Sequence, residues 1–221
     1  VEKNDATGEY QFTIRNIDET DVCLLQTNGD YSECFCKMVG NEFLLSYGVN
    51  SVLMITYAFA TARYQTLLIH ASCVKQGDYA YCFIAKSGTG KSTQVSNWLK
   101  HIPGCELLND DNPIVRICDD GRVWVFGSPW SGKTPCYINK GVPVGGIVNL
   151  NQASVNRIRR CALPEAYAAL YSSVSGLKMN REMYDGLHET MERTAVSVPF
   201  YHLDCLPDAD AAFLSSKTIM Q

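Results

Sequence analysis

The sequence has no large excess of charge of either sign, and this limits the partners that it can bind. Nineteen lysines and arginines face 23 aspartates and glutamates, which gives a formal net charge of −4 at pH 7. A weakly acidic chain does not carry the broad basic face that nucleic acids require, although a local basic pocket is compatible with it. We therefore expect no nucleic-acid partner.

Long apolar runs, a signal peptide and internal repeats are also missing from the pattern. We find no stretch that approaches the roughly 20 apolar residues needed to span a bilayer, and we expect no membrane partner. Hydrophobic residues make up 46% of the chain and charged residues 19%, which is ordinary for a globular protein. A length of 221 residues corresponds to one large domain or two small ones.

What the sequence does contain is a strand, a glycine-bearing loop and a helix in immediate succession. Residues 79–85 are apolar, the loop reads Lys-Ser-Gly-Thr-Gly-Lys-Ser-Thr over residues 86–93, and Val95 and Trp98 follow at helical spacing. This is the context of a phosphate-binding P-loop, with Ala85 in place of the first glycine of the strict pattern. An ordinary glycine–serine turn before a helix is the alternative interpretation.

Each residue type in this loop has a chemical reason. Gly88 and Gly90 allow backbone N–H groups to turn toward phosphate oxygens, and the following helix adds the positive end of its dipole. Lys91 would reach the outer phosphates, and the Ser92 hydroxyl would ligate Mg²⁺. We therefore expect ATP and Mg²⁺ as cofactors. The expected nucleotide-binding residues are Ser87, Gly88, Thr89, Gly90, Lys91, Ser92 and Thr93.

Cysteine is abundant, with ten residues spread along the chain. Only Cys34 and Cys36 are close together, and a Cys-x-Cys pair without further cysteine or histidine neighbours is a weak metal signal. Several other cysteines lie in apolar runs, where a thiol packs as a small hydrophobe. Together with a nucleotide-binding loop, they indicate free thiols in a reducing compartment and hence a cytoplasmic protein.

The region before the loop divides into a β-rich part and a helix. Its strands are antiparallel and separated by turns, and we place the last of them at residues 42–47. Asn50 then caps a predicted helix over residues 51–64, whose apolar face we interpret as core. Residues 1–64 are thus a predicted β-rich flank and residues 65–221 a catalytic core, with a single compact domain as the alternative.

A polar run follows a short apolar strand predicted at residues 105–108. It reads Asn-Asp-Asp-Asn over residues 109–112, which is where a metal-binding acid is expected after a phosphate loop. Adjacent residues of a strand point to opposite faces, so the strand must end or bend for Asp110 and Asp111 both to face the phosphates. Capping of a neighbouring helix or turn is the alternative role for this pair.

A further loop of small residues covers residues 127–134 and contains Lys133. No apolar helix follows it, so it does not have the context of a second P-loop. Contact with a substrate or phosphate group and a purely structural role are both open for this segment.

Several of these stretches occur in the order found in one family. They are His70-Ala71-Ser72, the turn at Gly77, and residues 87–92, 108–111 and 126–129. The chain resembles the catalytic domain of HPr kinase/phosphorylase and its smaller relatives, which share a nucleotide site with phosphoenolpyruvate carboxykinase. The resemblance implies an α/β fold with a mixed β-sheet P-loop kinase core of that type, preceded here by the antiparallel β-rich region.

The resemblance also implies an activity, the transfer of the γ-phosphoryl group of ATP to a hydroxyl. The acceptor would be a serine or threonine of a protein or peptide, or a small molecule. By position, Lys91 would bind phosphates, Ser92 and Asp111 would hold Mg²⁺, and Asp110 would accept the hydroxyl proton.

Two further residues complete the expected catalytic set. His70 matches a family histidine near the phosphates, with a structural histidine at a strand end as the alternative, and Lys133 is assigned to the acceptor or the transferred phosphoryl group. Ser128 stands where HPr kinase has a glutamate, and Lys140 stands where the family has an arginine. These departures argue against a phosphorylase activity and against HPr as the acceptor.

Two other function classes are compatible with a nucleotide-binding loop. A carboxykinase-like lyase would need an arginine-bearing substrate domain that the sequence lacks. A non-catalytic nucleotide-binding regulatory module is the other alternative, and the intact lysine, serine and aspartate pair argue against it. A homo-oligomer is open on either interpretation.

Overall fold

The computed structural model describes residues 1–16, 18–132, 134–176 and 180–221. The chain divides into two compact units, Val1–Arg63 and Tyr64–Gln221, and the boundary lies one residue before the expected one. The protein is mixed α/β, with an antiparallel sheet in the first unit and a mixed sheet in the second.

The first unit contains, within its described residues, a four-stranded antiparallel sheet whose strands pair in chain order. They are β1 (Glu2–Lys3), β2 (Tyr10–Arg15), β3 (Asp21–Thr27) and β4 (Cys34–Met38). Burial alternates along β2, where Tyr10, Phe12 and Ile14 are buried, as expected for a sheet with one covered face. The predicted antiparallel β-rich region is confirmed.

Helix α1 (Glu42–Thr61) corrects the expectation for the segment after β4. Residues 42–47 do not form a strand, and the helix begins at Glu42 rather than at residue 51. Asn41 caps it in place of Asn50, because the Asn41 side chain accepts a hydrogen bond from the Leu44 N–H at 3.1 Å. A short apolar run is compatible with either a strand or a helix. Here the Asn41 cap marks the start of a helix.

The same helix overturns the expectation about apolar length. The stretch Glu42–Tyr64 has 23 residues, and its most apolar 18-residue window has a mean hydropathy of 1.5, which by length and composition is enough to cross a membrane. Only 17% of its most apolar window is buried. The sequence pattern hid this stretch because Ser46, Asn50 and Thr56 interrupt the run without making its average polar. Length and composition do not separate a membrane span from an apolar helix of another kind.

The second unit is built, over its described residues, on a nine-stranded mixed sheet. Its main path runs β5-β9-β10-β11-β7-β6-β8, and β13 and then β12 extend it from β11. The strands are β5 (Thr66–Leu68), β6 (Ala71–Gln76), β7 (Tyr79–Ile84), β8 (Cys105–Asp111), β9 (Ile114–Ile117), β10 (Val123–Phe126), β11 (Gly141–Gln152), β12 (Arg157–Arg160) and β13 (Phe200–Cys205).

Strand β6 lies between β7 and β8 and is antiparallel to both. Strands β7 and β8 therefore run in the same direction, and their carboxyl ends lie at the same edge of the sheet. A turn at Gly77, whose φ is 60°, joins β6 to β7. The predicted antiparallel pairing of the strand that precedes β7 is confirmed, and it brings the end of β8 to the end of β7.

The helices of the second unit are α2 (Lys91–His101), α3 (Leu163–Tyr171), α4 (Arg181–Ser197) and α5 (Ala209–Ile219). Trp98 of α2 is fully buried in a cluster with Phe83 and Leu203. Its Nε1–H donates to Ser215 Oγ of α5 at 3.0 Å, and the Gln94 side chain donates to the same oxygen at 3.0 Å. These buried hydrogen bonds fix the rotation of α2 and so the position of the loop before it.

Candidate functional site

The glycine loop (residues 85–90) joins β7 to α2. Gly88 has a φ of 80° and Gly90 a φ of 114°, while an added Cβ at either position would meet no atom within 4 Å. Glycine is therefore needed for the backbone conformation and not for space. Helix α2 begins directly after the loop at Lys91, and the first N–H groups of a helix have no acceptor within it.

A cleft of about 400 Å³ separates the glycine loop from the start of β6 and the carboxyl end of β8. It is of a size that suits a small ligand. Its lining from the loop and α2 comprises Ser87, Gly88, Gly90, Lys91, Ser92 and Thr93, and its other lining comprises His70, Ser72, Asp110, Asp111 and Gly132. Thr89 does not line this cleft and lines a second cavity instead.

Asp110 is the most enclosed acid of the cleft, at 3% exposed. Its Oδ1 accepts a hydrogen bond from Ser72 Oγ at 2.8 Å. Its Oδ2 is buried and has no hydrogen-bond partner among the described residues. A buried carboxylate oxygen without a partner costs free energy, which a proton donor or a cation in the cleft would recover.

Lys91 and His70 are hydrogen-bonded in the cleft, and Asp111 lies beside His70. Lys91 Nζ lies 2.8 Å from His70 Nε2 and donates to the Ala85 carbonyl at 3.1 Å. An ammonium group only donates, so a charged Lys91 would make Nε2 the acceptor. Nδ1 of the same ring lies 3.2 Å from Asp111 Oδ1. Burial lowers the pKa of Lys91, while the charges of Asp111 and Asp110 act in the opposite direction.

Strand β8 continues through both acids, so the expectation that it ends at residue 108 is wrong. Ladder pairing with β6 decides this, because Ser72 lies opposite Asp110 and Ala71 opposite Asp111. The register shifts once along the pair, skipping Leu108, and such an irregularity bends a strand locally. This shift lies before Asn109 and so does not separate the two acids; the strand instead ends at Asp111, directly before Asn112 and Pro113, and both acids line the cleft.

Sequence reasoning missed Asn109, which is fully buried beside the acids. Its Nδ2 donates to Ser128 Oγ at 3.1 Å and to the Trp130 carbonyl at 3.2 Å, and its Oδ1 accepts from the Asp111 N–H at 2.9 Å. Ser128 Oγ in turn donates to the Asn112 carbonyl at 2.7 Å. The signal in the sequence for a structural role of Asn109 was an amide side chain directly after the predicted strand at residues 105–108.

The loop at residues 127–134 approaches the acids through its backbone. The Gly132 N–H donates to the Asp110 carbonyl at 3.0 Å, and a Cβ at Gly132 would come within 2.5 Å of the same oxygen. Ser131 forms an isolated β-bridge with Asp111. Glycine is required at position 132 because a side chain there would prevent the close approach of the loop backbone to the Asp110 carbonyl. Lys133, which was expected to act on the acceptor or phosphoryl group, lies outside the described residues.

The donor set of the cleft fits Mg²⁺ held together with phosphates. No cluster of three or more histidine, cysteine, aspartate or glutamate side chains able to hold a metal occurs among the residues that the structure describes. Ser92, Asp110 and Asp111 nevertheless line one cleft. Magnesium commonly binds through one or two carboxylates and otherwise uses waters and substrate phosphates, so the Ser92 hydroxyl and one of the two carboxylates suffice.

All ten cysteines lie in the described part of the chain, and all are free thiols.

Comparison with known proteins adds no assignment, because neither a protein-family model nor a curated protein sequence matches the chain.

Proposed function

We propose that the protein is an ATP-dependent phosphotransferase with a P-loop core of the HPr kinase/phosphoenolpyruvate carboxykinase type. It transfers the γ-phosphoryl group of ATP to a hydroxyl of a protein, a peptide or a small molecule. The observation that carries this proposal is the buried, unpartnered Oδ2 of Asp110 in the cleft that the glycine loop lines. A glycine loop is sufficient for nucleotide binding, whereas transfer also needs a group that takes a proton.

The glycine loop and Lys91 bind the phosphates in this proposal. The free N–H groups at the start of α2 and the helix dipole favour an anion at this position. Lys91 Nζ contacts His70 Nε2 and donates to the Ala85 carbonyl, neither of which is an anion, so a triphosphate offers it stronger partners. Mg²⁺, held by Ser92 and Asp111, would neutralise charge on the phosphates.

Asp110 acts as the general base. Its Oδ2 takes the proton of the acceptor hydroxyl as the hydroxyl oxygen bonds to the γ-phosphorus and the bond from that phosphorus to the β–γ bridging oxygen breaks. The products are a phosphate ester, ADP and the proton, which Asp110 then releases. The Ser72 hydroxyl holds Oδ1, so Oδ2 is the oxygen without a partner among the described residues and the one that would take the proton.

The test is label transfer from ATP that carries ³²P at the γ position, with Mg²⁺ and a library of serine- and threonine-containing peptides and simple alcohols. We expect label on hydroxyl acceptors with the wild type, and loss of label with Asp110→Asn although Mg-ATP still binds. Binding of Mg-ATP with no transfer to any acceptor would favour the non-catalytic nucleotide-binding module.

A further inference from the structure

A second cavity of about 400 Å³ adjoins the same glycine loop. Residues 88–90 and Thr93 form one side of it, and Gln152, Ala153 and residues 205–207 form the other. Gly88, Gly90 and Thr93 line both this cavity and the cleft that contains the acids. A ligand that lies along the loop can therefore extend from one space into the other.

The two spaces differ in charge. The cleft contains Lys91, Asp110 and Asp111, whereas the cavity is lined by amides, two threonines, aliphatic groups and the Cys205 thiol. Burial raises the pKa of this thiol, so it stays uncharged at neutral pH. The cavity lacks the charged groups that a second phosphate or a metal ion would need, and it suits an uncharged, partly apolar group.

The wall of the cavity opposite the loop is fixed by hydrogen bonds before any ligand binds. The Ala153 N–H donates to the Cys205 carbonyl at 3.1 Å, and the Leu206 N–H donates to Asn156 Oδ1 at 2.7 Å. Gln152 ties this wall to the loop, because its Nε2 donates to the Thr89 carbonyl at 3.2 Å and lies 3.4 Å from that of Gly88. A preformed space of this kind is typical of small-molecule sites.

We propose that this cavity binds the base and ribose of the nucleotide whose phosphates lie on the glycine loop. The inference rests on the proposed function and adds the direction of the nucleotide. The terminal phosphate lies among the acids and Lys91, and the nucleoside lies on the far side of the loop against Gln152, Ala153 and Cys205. The acceptor then enters from the acid side, where the nucleoside does not obstruct it.

The test compares Mg-ATP with inorganic tripolyphosphate, which has the phosphates without the nucleoside, by calorimetry. The wild type should bind Mg-ATP at least about tenfold more tightly. Ala153→Trp fills the cavity, so it should reduce ATP affinity to that of tripolyphosphate and leave tripolyphosphate affinity unchanged. Ala153→Ser, which leaves the space open, is the matched control.

Equal losses for both ligands in Ala153→Trp, or no loss for ATP, would overturn the nucleoside site. Failure of the wild type to bind either ligand would instead overturn the proposed function. A second measurement avoids mutation altogether, by following alkylation of Cys205 by iodoacetamide with peptide mass spectrometry. Mg-ATP should slow this alkylation and tripolyphosphate should not, and equal alkylation rates with both ligands would contradict the proposal.

Discussion

The two walls of the cleft are built differently. The acid wall (Ser72 and residues 109–111) is held by side-chain hydrogen bonds of 2.8 to 3.2 Å that form without any ligand. The loop wall (residues 85–93) presents backbone N–H groups and Lys91, whose ammonium contacts His70 and donates to the Ala85 carbonyl. The acid wall is preorganised, whereas in the proposed function a phosphate would complete the loop wall. Substitutions in the acid wall should therefore lower the rate of phosphoryl transfer, and substitutions in the loop wall should lower the affinity for Mg-ATP.

The largest expected effect comes from the acid wall. Asp110→Asn keeps the size of the side chain and its hydrogen bond from Ser72 but removes the proton acceptor. Phosphoryl transfer should fall by about 10²–10⁴, the usual span for a lost general base. Initial rates of label transfer and calorimetry with Mg-ATP measure the two quantities separately. A variant that transfers at the wild-type rate would remove Asp110 from the mechanism.

The next largest effect comes from the loop wall. Lys91→Ala removes a full charge from the phosphate site, and a hydrogen bond to a charged group is worth roughly 1.5–3 kcal/mol, so Mg-ATP affinity should fall about 10- to 100-fold. Lys100→Ala, on the exposed last turn of the same helix, is the control and should leave affinity unchanged. Calorimetry that gives equal affinities for the wild type and Lys91→Ala would refute the phosphate site.

The lowered pKa of Lys91 gives the same wall a pH dependence. Burial moves this pKa below its ordinary value of 10.5, so the folded chain releases the proton at a lower pH than the unfolded chain does. Between the two pKa values the unfolded state binds more protons, and the free energy of unfolding of the ligand-free protein should rise with pH. ATP affinity should fall over that alkaline window, because the neutral amine no longer attracts phosphate.

Lys91→Arg is the comparison for this effect, since the guanidinium stays charged throughout. Its ATP affinity should remain level where that of the wild type falls. Titrations of both proteins at several alkaline pH values check this, and parallel profiles would assign the pH dependence to another group.

A smaller effect separates the two acids. Asp111 accepts a hydrogen bond from Asn112, lies 3.2 Å from His70 Nδ1 and is less buried than Asp110, so we assign it to the metal. Asp111→Asn should raise the Mg²⁺ concentration for half-maximal transfer by roughly tenfold and leave the rate at saturating Mg²⁺ within a few-fold. If Asp110→Asn shifted the Mg²⁺ requirement and Asp111→Asn did not, the two roles would be exchanged.

The smallest effect lies outside both walls. Glu165 at the start of α3 accepts two hydrogen bonds from Arg159 at 2.8 and 2.9 Å and one from the Ala162 N–H, which lower its pKa to about 2. The stability that this carboxylate adds is complete above its ordinary pKa of 4.5 and is lost as pH falls through about 2.

Glu165→Gln should therefore lower the melting temperature slightly near pH 7, and the difference from the wild type should disappear toward pH 2. Mg-ATP affinity and phosphoryl transfer should not change. Thermal unfolding at a series of pH values checks the first statement, and a lowered transfer rate would show that α3 takes part in the site.

The loop wall could be predicted from the sequence because its chemistry is local. A strand, two glycines, a lysine and a helix follow one another directly, and the structure places Lys91 and Asp110 in one cleft as the motif spacing suggested. The first unit was less predictable. The apolar run at residues 42–47 suits a strand, but in the structure it starts a helix that the Asn41 side chain caps through the Leu44 N–H.

The rest of the site depends on contacts between distant parts of the chain. Ser72 and Asp110 are 38 residues apart, and Asn109 and Ser128 are 19 apart, so neither pair has a local pattern. Strand β8 extends through the acids because β6 supplies ladder partners, and this pairing is a tertiary feature. The second cavity likewise forms only where the ends of β11 and β13 meet the loop.

The most direct test is a crossed measurement on two variants, with the rate of transfer at saturating Mg-ATP and the dissociation constant for Mg-ATP determined for each. Asp110→Asn should lower the rate and leave the dissociation constant within about threefold of the wild type, since its hydrogen bond from Ser72 persists. Lys91→Ala should raise the dissociation constant about 10- to 100-fold. If both variants changed only the dissociation constant, with the transfer rate at saturation intact, the cleft would bind a nucleotide without Asp110 acting as a base.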